Sequence, residues 1–295
     1  MSVVAHPGPV VVGVDGSEQA GWALRWAAEY AAHHRVSLVL VCAVDVPVDS
    51  GPGLGGPHFD LEALRRDGEK IVASAAAEAV VVTAPIAEVT ITSEVVLGSA
   101  RAALRHRSES ARLLVVGSRG LGAFRRTLLG SISSSIAGHA GCAVAVIPES
   151  AVPRDGPVVV GVDGTARSMA ALAIAFDEAA RRGVVLRAVH AWSEFGRSQS
   201  PAALRATAAA RLAESLAGFA ENYPDVEVDR IVVEDRPANA ILAAASRAQL
   251  AVVGSHGRAR LSDAVLGSVA HAVLHGIECP LIIARPGARR SSTDA

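Results

Sequence analysis

The chain has 295 residues, a length that at about 100 to 200 residues per domain favours two domains over one. Hydrophobic residues make up 51% and charged residues 19%, too apolar for a disordered chain, yet no apolar run approaches the roughly 18 residues of a membrane-spanning helix. Lys plus Arg (28) against Asp plus Glu (29) leaves a formal charge of −1, which excludes the broad basic footprint of a nucleic-acid binder, so neither a nucleic acid nor a membrane is expected as partner.

Short runs rich in Val, Ile and Leu alternate with longer Ala-rich stretches, the pattern of β-α units around a parallel sheet. The runs lack alternation, so both sheet faces are expected to be covered. In the first half, strands are predicted over 10–14, 37–44, 88–95, 112–117 and 143–147. Helices are predicted over 17–34, 60–82, 99–110 and 131–140, with Ser17 and Ser131 as N-caps. The second half repeats the order, with strands over 158–162, 184–191, 227–233, 250–254 and 281–284.

The repetition is also literal. Residues 10–17 (VVVGVDGS) recur as 158–165 (VVVGVDGT), 148 positions later, and 114–120 (LVVGSRG) as 251–257 (AVVGSHG), 137 positions later. The second copy is thus about eleven residues shorter between these landmarks, a shortage that falls in the Gly/Pro-rich stretch 47–57. Units this large should each own a core, and the domains are placed at 1–150 and 157–287. Residues 1–8 show no basic-then-apolar secretory pattern, and the three cysteines Cys42, Cys142 and Cys279 form no disulfide framework, so a cytoplasmic location is expected.

Two features call for chemistry. Asp15 and its counterpart Asp163 stand at strand ends, where open α/β sheets bind ligands, although Asp-Gly also makes an ordinary turn into a helix. The second feature is the spacing G-x2-G-x9-G-S, formed by Gly117, Gly120, Gly130 and Ser131 and again by Gly254, Gly257, Gly267 and Ser268. Paired glycines let the backbone approach a ligand, and the Gly-Ser pair opens a helix whose free N–H groups attract phosphate.

The VGVDGS start, the doubled glycine loop and the five-strand unit resemble the universal stress protein family in its tandem form, over nearly the whole chain. The resemblance implies two tandem open parallel five-stranded α/β sheets, Rossmann-like and adenine nucleotide alpha hydrolase-like, in order 3-2-1-4-5 and flanked by helices. It implies ATP binding, with or without Mg2+. Asp15 with Gly13 would meet the adenosine end, Ala43 the adenine, and Gly117, Arg119, Gly120, Gly130 and Ser131 the phosphates. Position 132, Ile132, adjoins this set and no role applies to it. Gly161, Asp163, Ala191, Gly254, Gly257, Gly267 and Ser268 match in the second copy. The expected role is a nucleotide-dependent sensor in stress response or growth regulation, with little or no turnover. A slow ATPase or adenylate hydrolase and an interaction scaffold are the competing classes. Since the fifth strands are uncharged sheet edges and the family dimerises there, the two copies are expected to pair strand 5 to strand 5, and the protein to form a homo-oligomer.

Neither copy keeps a Gly-x-Pro that this family often carries at helix 3: the first has Gly98-Ser99-Ala100, the second Asp235-Arg236-Pro237. Cys42 stands where the second copy has His190. The literal G-x-G-x-x-G at 51–56 is interrupted by proline and reads as loop, and the single lysine, Lys70, rules out a Walker P-loop. Arg119, Arg125, Arg126, His256, Arg258 and Arg260 could meet phosphate or be solvated loop charges. His271, His275 and Cys279 are spaced by four, a metal-like interval, but Gly276 interrupts the helix and the pair reads as surface histidines. Ser133, Ser134 and Ser135 continue the phosphate-side helix, and no G-x-S-x-G elbow is present.

Overall fold

The computed structural model describes residues 8–45, 60–119, 130–149, 155–165, 168–192, 200–257 and 266–285. The chain divides into two compact units with the break between Ile136 and Ala137. In the first unit β1 (Val10–Gly13), α1 (Glu18–His34), β2 (Leu38–Val44), α2 (Leu61–Thr83), β3 (Ile91–Leu97), α3 (Ala100–Ser108) and β4 (Leu113–Gly117) follow one another, and α4 (Ser131–His139) straddles the break. The second contains β5 (Ala143–Ile147), β6 (Val158–Gly161), α5 (Met169–Arg182), β7 (Leu186–Trp192), α6 (Pro201–Ala220), β8 (Val228–Glu234), α7 (Pro237–Ala245), β9 (Leu250–Gly254), α8 (Ser268–Gly276) and β10 (Leu281–Ala284).

Helix α1 shows why these segments fold as they do. Ala20, Ala23, Leu24, Ala27, Ala28 and Ala31 recur every three or four residues and are buried, so small side chains bring the helix close to the sheet. Ser17 caps its start, accepting from Ala20 N at 3.2 Å. Its end turns through Arg35 in the left-handed region (φ 52°), as α5 turns through Gly183 (φ 63°). Strands β1, β4, β5, β6, β9 and β10 are apolar and covered on both faces, Val10, Leu114, Val158 and Leu250 being fully buried, whereas β3 and β8 expose Thr92 and Ser93, and Asp229 and Arg230, so the expected cover on both faces is not met there.

In the first unit β2 pairs in parallel with both β3 and β1, and β1 with β4, Val10 lying between Leu38 and Leu113. In the second, β7 pairs with β8 and β6, β6 with β9, and β9 with β10, all parallel, which completes the 3-2-1-4-5 order in that copy. The expected α/β architecture of open parallel sheets flanked by helices is therefore present.

One detail differs. The fifth strand of the first copy, β5, lies in the second unit, where it makes the expected strand 5 to strand 5 pairing, antiparallel to β10 with Val144 opposite Ile283 and Val146 opposite Leu281, so this unit holds six strands rather than five. The reason is the uncharged edge: β5 and β10 each satisfy the other's backbone groups and bury Val144, Ala145, Leu281 and Ile282. Arg285, just after β10, donates from Nη2 to Ala137 O at 2.7 Å, and burial lowers its guanidinium's proton affinity. The third strand starts at Ile91 rather than near 88 because the chain turns after α2, with Ile86 and Ala87 N–H groups donating to Thr83 O.

Replacing Val144 and Val146 by Asp places charges at two buried positions of this pairing. It should lower unfolding free energy by at least about 3 kcal/mol, read as an earlier midpoint in urea. An unshifted midpoint would show that the β5–β10 contact contributes nothing.

Candidate functional site

Because β6 lies between β7 and β9, helices leave its two sides in opposite directions and a crevice opens at the strand ends. In the second copy that crevice is a cavity of about 230 Å3. It gathers the residues that the resemblance matches in this copy: Gly161 at the end of β6 and Asp163 after it, Ala191 on β7, Gly254 at the end of β9 and Gly257 after it, and Gly267 and Ser268 at the start of α8.

Asp163 holds the first turn and faces the loop at once. Its Oδ1 accepts from Thr165 N at 2.9 Å and from Thr165 Oγ1 at 2.7 Å, around Gly164 in the left-handed region (φ 76°). A Cβ built on Gly257 would lie 3.7 Å from Asp163 Oδ2, so the carboxylate and the loop glycine are neighbours. The first copy repeats the turn: Asp15 Oδ1 accepts from Ser17 N at 2.9 Å and Ser17 Oγ at 2.5 Å, around Gly16 (φ 79°).

The polar end of the cavity is the start of α8. Gly267 is its N-cap and supplies no side-chain bond, so the N–H groups of Ser268, Val269 and Ala270 open the helix without intrahelical partners, and all three residues line the cavity. The helix terminus adds positive potential there. By contrast, α1, α2 and α6 begin with Ser17, Asp60 and Ser200, whose side chains accept a first-turn N–H. The α8 terminus is fixed to the end of β9 by Gly267 N donating to Ser255 O at 2.8 Å. Only glycine fits easily, since a Cβ would sit 3.2 Å from both Ser255 O and His256 Cα.

The opposite wall is apolar, made by Val189 and Ala191 of β7, Pro237 and Ile241 of α7, and Val253 of β9. Gly161 admits that wall: a Cβ there would lie 2.6 Å from Ile241 Cδ1. Behind it, buried His190 donates from Nδ1 to Val162 O at 2.7 Å, which braces the chain just before Asp163. Cys42 takes that place in the first copy, its thiol pushed up by burial and, second, by the charge of Asp15.

The first copy keeps the same framework. Gly130 N donates to Ser118 O at 2.9 Å, as Gly267 does to Ser255. Gly13 lies against Leu104, whose Cδ1 would be 3.1 Å from an added Cβ, and Ala43 sits near the end of β2. Gly117 is required by packing as well as by any ligand, because a Cβ would lie 3.0 Å from Gln19 O and 3.1 Å from Arg119 O. Ser131 is the first helical residue of α4 rather than its N-cap: Ser134 N donates to Gly130 O, which makes Gly130 the cap position. Ile132, the second residue of α4, has an exposed apolar side chain with no hydroxyl to offer a ligand. Its counterpart Val269 is apolar too, so this position of each helix can give a phosphate only its backbone N–H. Ser133 is buried and donates toward Ser118 O and Gly130 O, both at 3.0 Å, a structural role. Gly120, Arg125, Arg126, Arg258, Arg260 and the 51–56 loop lie outside the described residues.

Sequence reasoning misses Pro237, Ile241, Val269 and Ala270 as lining residues, while His256, which it offers either to phosphate or to solvent, lines the cavity. Pro237 is visible as the first residue of a helix; Ile241 could have been found one helical turn further on the same face. Asp235 does not line the cavity; its carboxylate accepts from Arg236 N. Cys142 and Cys279 are buried, and burial pushes the Cys279 thiol up to about 12. No helix among the described residues is long and apolar enough to cross a membrane.

Comparison with known proteins matches the profile of the Universal stress protein family to residues 8–148 and again to 156–285. Universal stress protein Rv2005c of Mycobacterium tuberculosis is 44% identical over 284 residues, covering 94% of this chain and 96% of its own. Universal stress protein Rv1996 of the same organism is 40% identical over 299 residues, covering 94% of each. Among solved structures, that of a universal stress protein from Archaeoglobus fulgidus DSM 4304 superposes with a TM-score of 0.72 over 95% of this chain and 99% of its own; at 18% identity it speaks for the fold alone.

Ser17 both caps α1 and closes the Asp15 turn, so Ser17→Ala should cost about 1 kcal/mol of stability, measured by urea unfolding. Ser17→Asp, which keeps a capping oxygen but sets a second carboxylate against Asp15, should recover only part of it. A Ser17→Ala chain as stable as the parent would remove the turn from the account.

Proposed function

The chain belongs to the universal stress protein family, and from that premise we propose that each of its two copies binds an adenine nucleotide, ATP, and that the protein acts as a nucleotide-dependent sensor in stress response or growth regulation. The observation that carries this reading is the two-ended cavity of the second copy, with the uncapped terminus of α8 at one end and an apolar wall at the other.

A nucleotide has the same division. Phosphate oxygens accept from the N–H groups of Ser268, Val269 and Ala270 and from the Ser268 hydroxyl, where the helix terminus favours negative charge. The ribose hydroxyls donate to Asp163, and the base lies against Val189, Ala191, Pro237 and Ile241. In the first copy Asp15, Ala43, Gly117, Gly130 and Ser131 stand in the equivalent positions. Mg2+, where bound, would offset phosphate charge at a cavity that has Asp163 as its sole carboxylate among the described lining residues. That single acid favours retention of nucleotide over turnover, since phosphoryl transfer needs groups to hold metal and to position water. The sensor would then report nucleotide state through occupancy, within a homo-oligomer whose chains each pair their own fifth strands internally.

Calorimetric titration of ATP into the parent chain should give two sites, and Gly257→Asp should leave one. The substituted Cβ meets only Asp163 Oδ2, at 3.7 Å, so the fold survives, while the new carboxylate occupies the phosphate end and repels the ligand. A parent chain that takes up no adenine nucleotide, or a folded variant that still binds two with unchanged affinity, would overturn the reading.

A further inference from the structure

We propose that His271 and His275 on α8 form a surface site for a divalent transition-metal ion, Cu2+ foremost with Ni2+ and Zn2+ weaker, that is present in the second copy and absent from the first. The two residues are one helical turn apart, both exposed, and their rings stand 4.5 Å apart at 43°, so a small rotation of each ring brings two nitrogens onto one ion. Imidazole nitrogens at i and i+4 on one helix face form a two-point chelate, and water completes the coordination. The equivalent positions of α4 are Ser134 and Gly138, which offer no imidazole.

Two further observations favour a cation there. His275 lies in the last turn of α8, where the helix terminus carries negative potential. Helix α7, which packs on α8, carries no ionisable side chain to compete for either ring. Cys279, which continues the four-residue spacing, takes no part: it is buried, beyond the end of the helix, with its thiol held protonated. The site is thus a two-histidine site and not a Cys-His one. Its predicted order of affinity, Cu2+ above Ni2+ and Zn2+, follows the general preference of nitrogen ligands among these ions.

The chain has 10 histidines, so the test is a difference measurement on the untagged full-length protein. Cu2+ is titrated into the parent and into His271→Gln, His275→Gln and the double variant, with affinity from calorimetry and ligand type from electron paramagnetic resonance. The expected result is one Cu2+ bound by the parent with two nitrogen ligands. Either single variant should weaken that site by about tenfold or more, because a chelate becomes a single ligand. Acidification to about pH 5 should release the ion, as protons compete for both rings. Both side chains are exposed, so the variants should keep the parent's circular dichroism. Equal Cu2+ affinity, stoichiometry and spectra for parent and double variant would overturn the proposal, and this outcome is independent of whether the cavity binds nucleotide.

Discussion

The second copy depends on one backbone hydrogen bond, from Gly267 N to Ser255 O at 2.8 Å, which docks the start of α8 on the end of β9. It positions a helix whose N-cap has no side chain, and so leaves the first-turn N–H groups facing a cavity instead of folding a serine or aspartate back onto them. A Ser or Asp at Gly267 would satisfy one of those donors internally and also bring a Cβ within 3.2 Å of the loop backbone. The unsatisfied terminus and the tight approach are thus produced by the same missing side chain. Asp163 completes the arrangement from the neighbouring strand, its Oδ1 occupied by Thr165 and its Oδ2 beside Gly257.

The two copies share this framework but differ in what surrounds it. Gly130 docks on Ser118 as Gly267 does on Ser255, and Asp15 and Asp163 make the same turn. Around these constants, Cys42 replaces the brace that His190 gives to Val162 O, Leu104 replaces Ile241 against the strand-end glycine, and Gly98 (φ 129°) stands where the second copy has Asp235. A duplicated backbone site with divergent side chains behind it can hold one class of ligand at two strengths. The antiparallel pairing of β5 with β10 covers the open side of both strands, which explains why neither run needed a charge to protect it.

Much of this is legible in the sequence because it rests on backbone requirements that only certain residues meet. Unalternated Val and Leu runs locate β1, β4, β6 and β9 to within a residue or two, and the repeated Asp-Gly and Gly-Ser pairs mark both turns. The start of β3 is displaced because the turn after α2 is built from Thr83 O bonds that no composition signal announces. Ser131 reads as a cap because serine so often is one, whereas the close approach to Ser118 O assigns the cap to Gly130. The apolar wall is legible only in part: Pro237 marks a helix start and Ile241 lies one turn further on, but that this face lines one cavity with Ala191 follows from tertiary packing alone.

The central claim is that the uncapped terminus of α8 receives phosphate, and amide chemical shifts test it most directly. In a 15N-labelled chain titrated with ATP, the amides of Ser268, Val269 and Ala270 should move downfield together as they become hydrogen-bonded, while the capped amides at Ala20 and Ala203 stay in place. If ATP leaves the three α8 amides unmoved, or shifts them no more than the capped ones, the assignment of the phosphate end is contradicted.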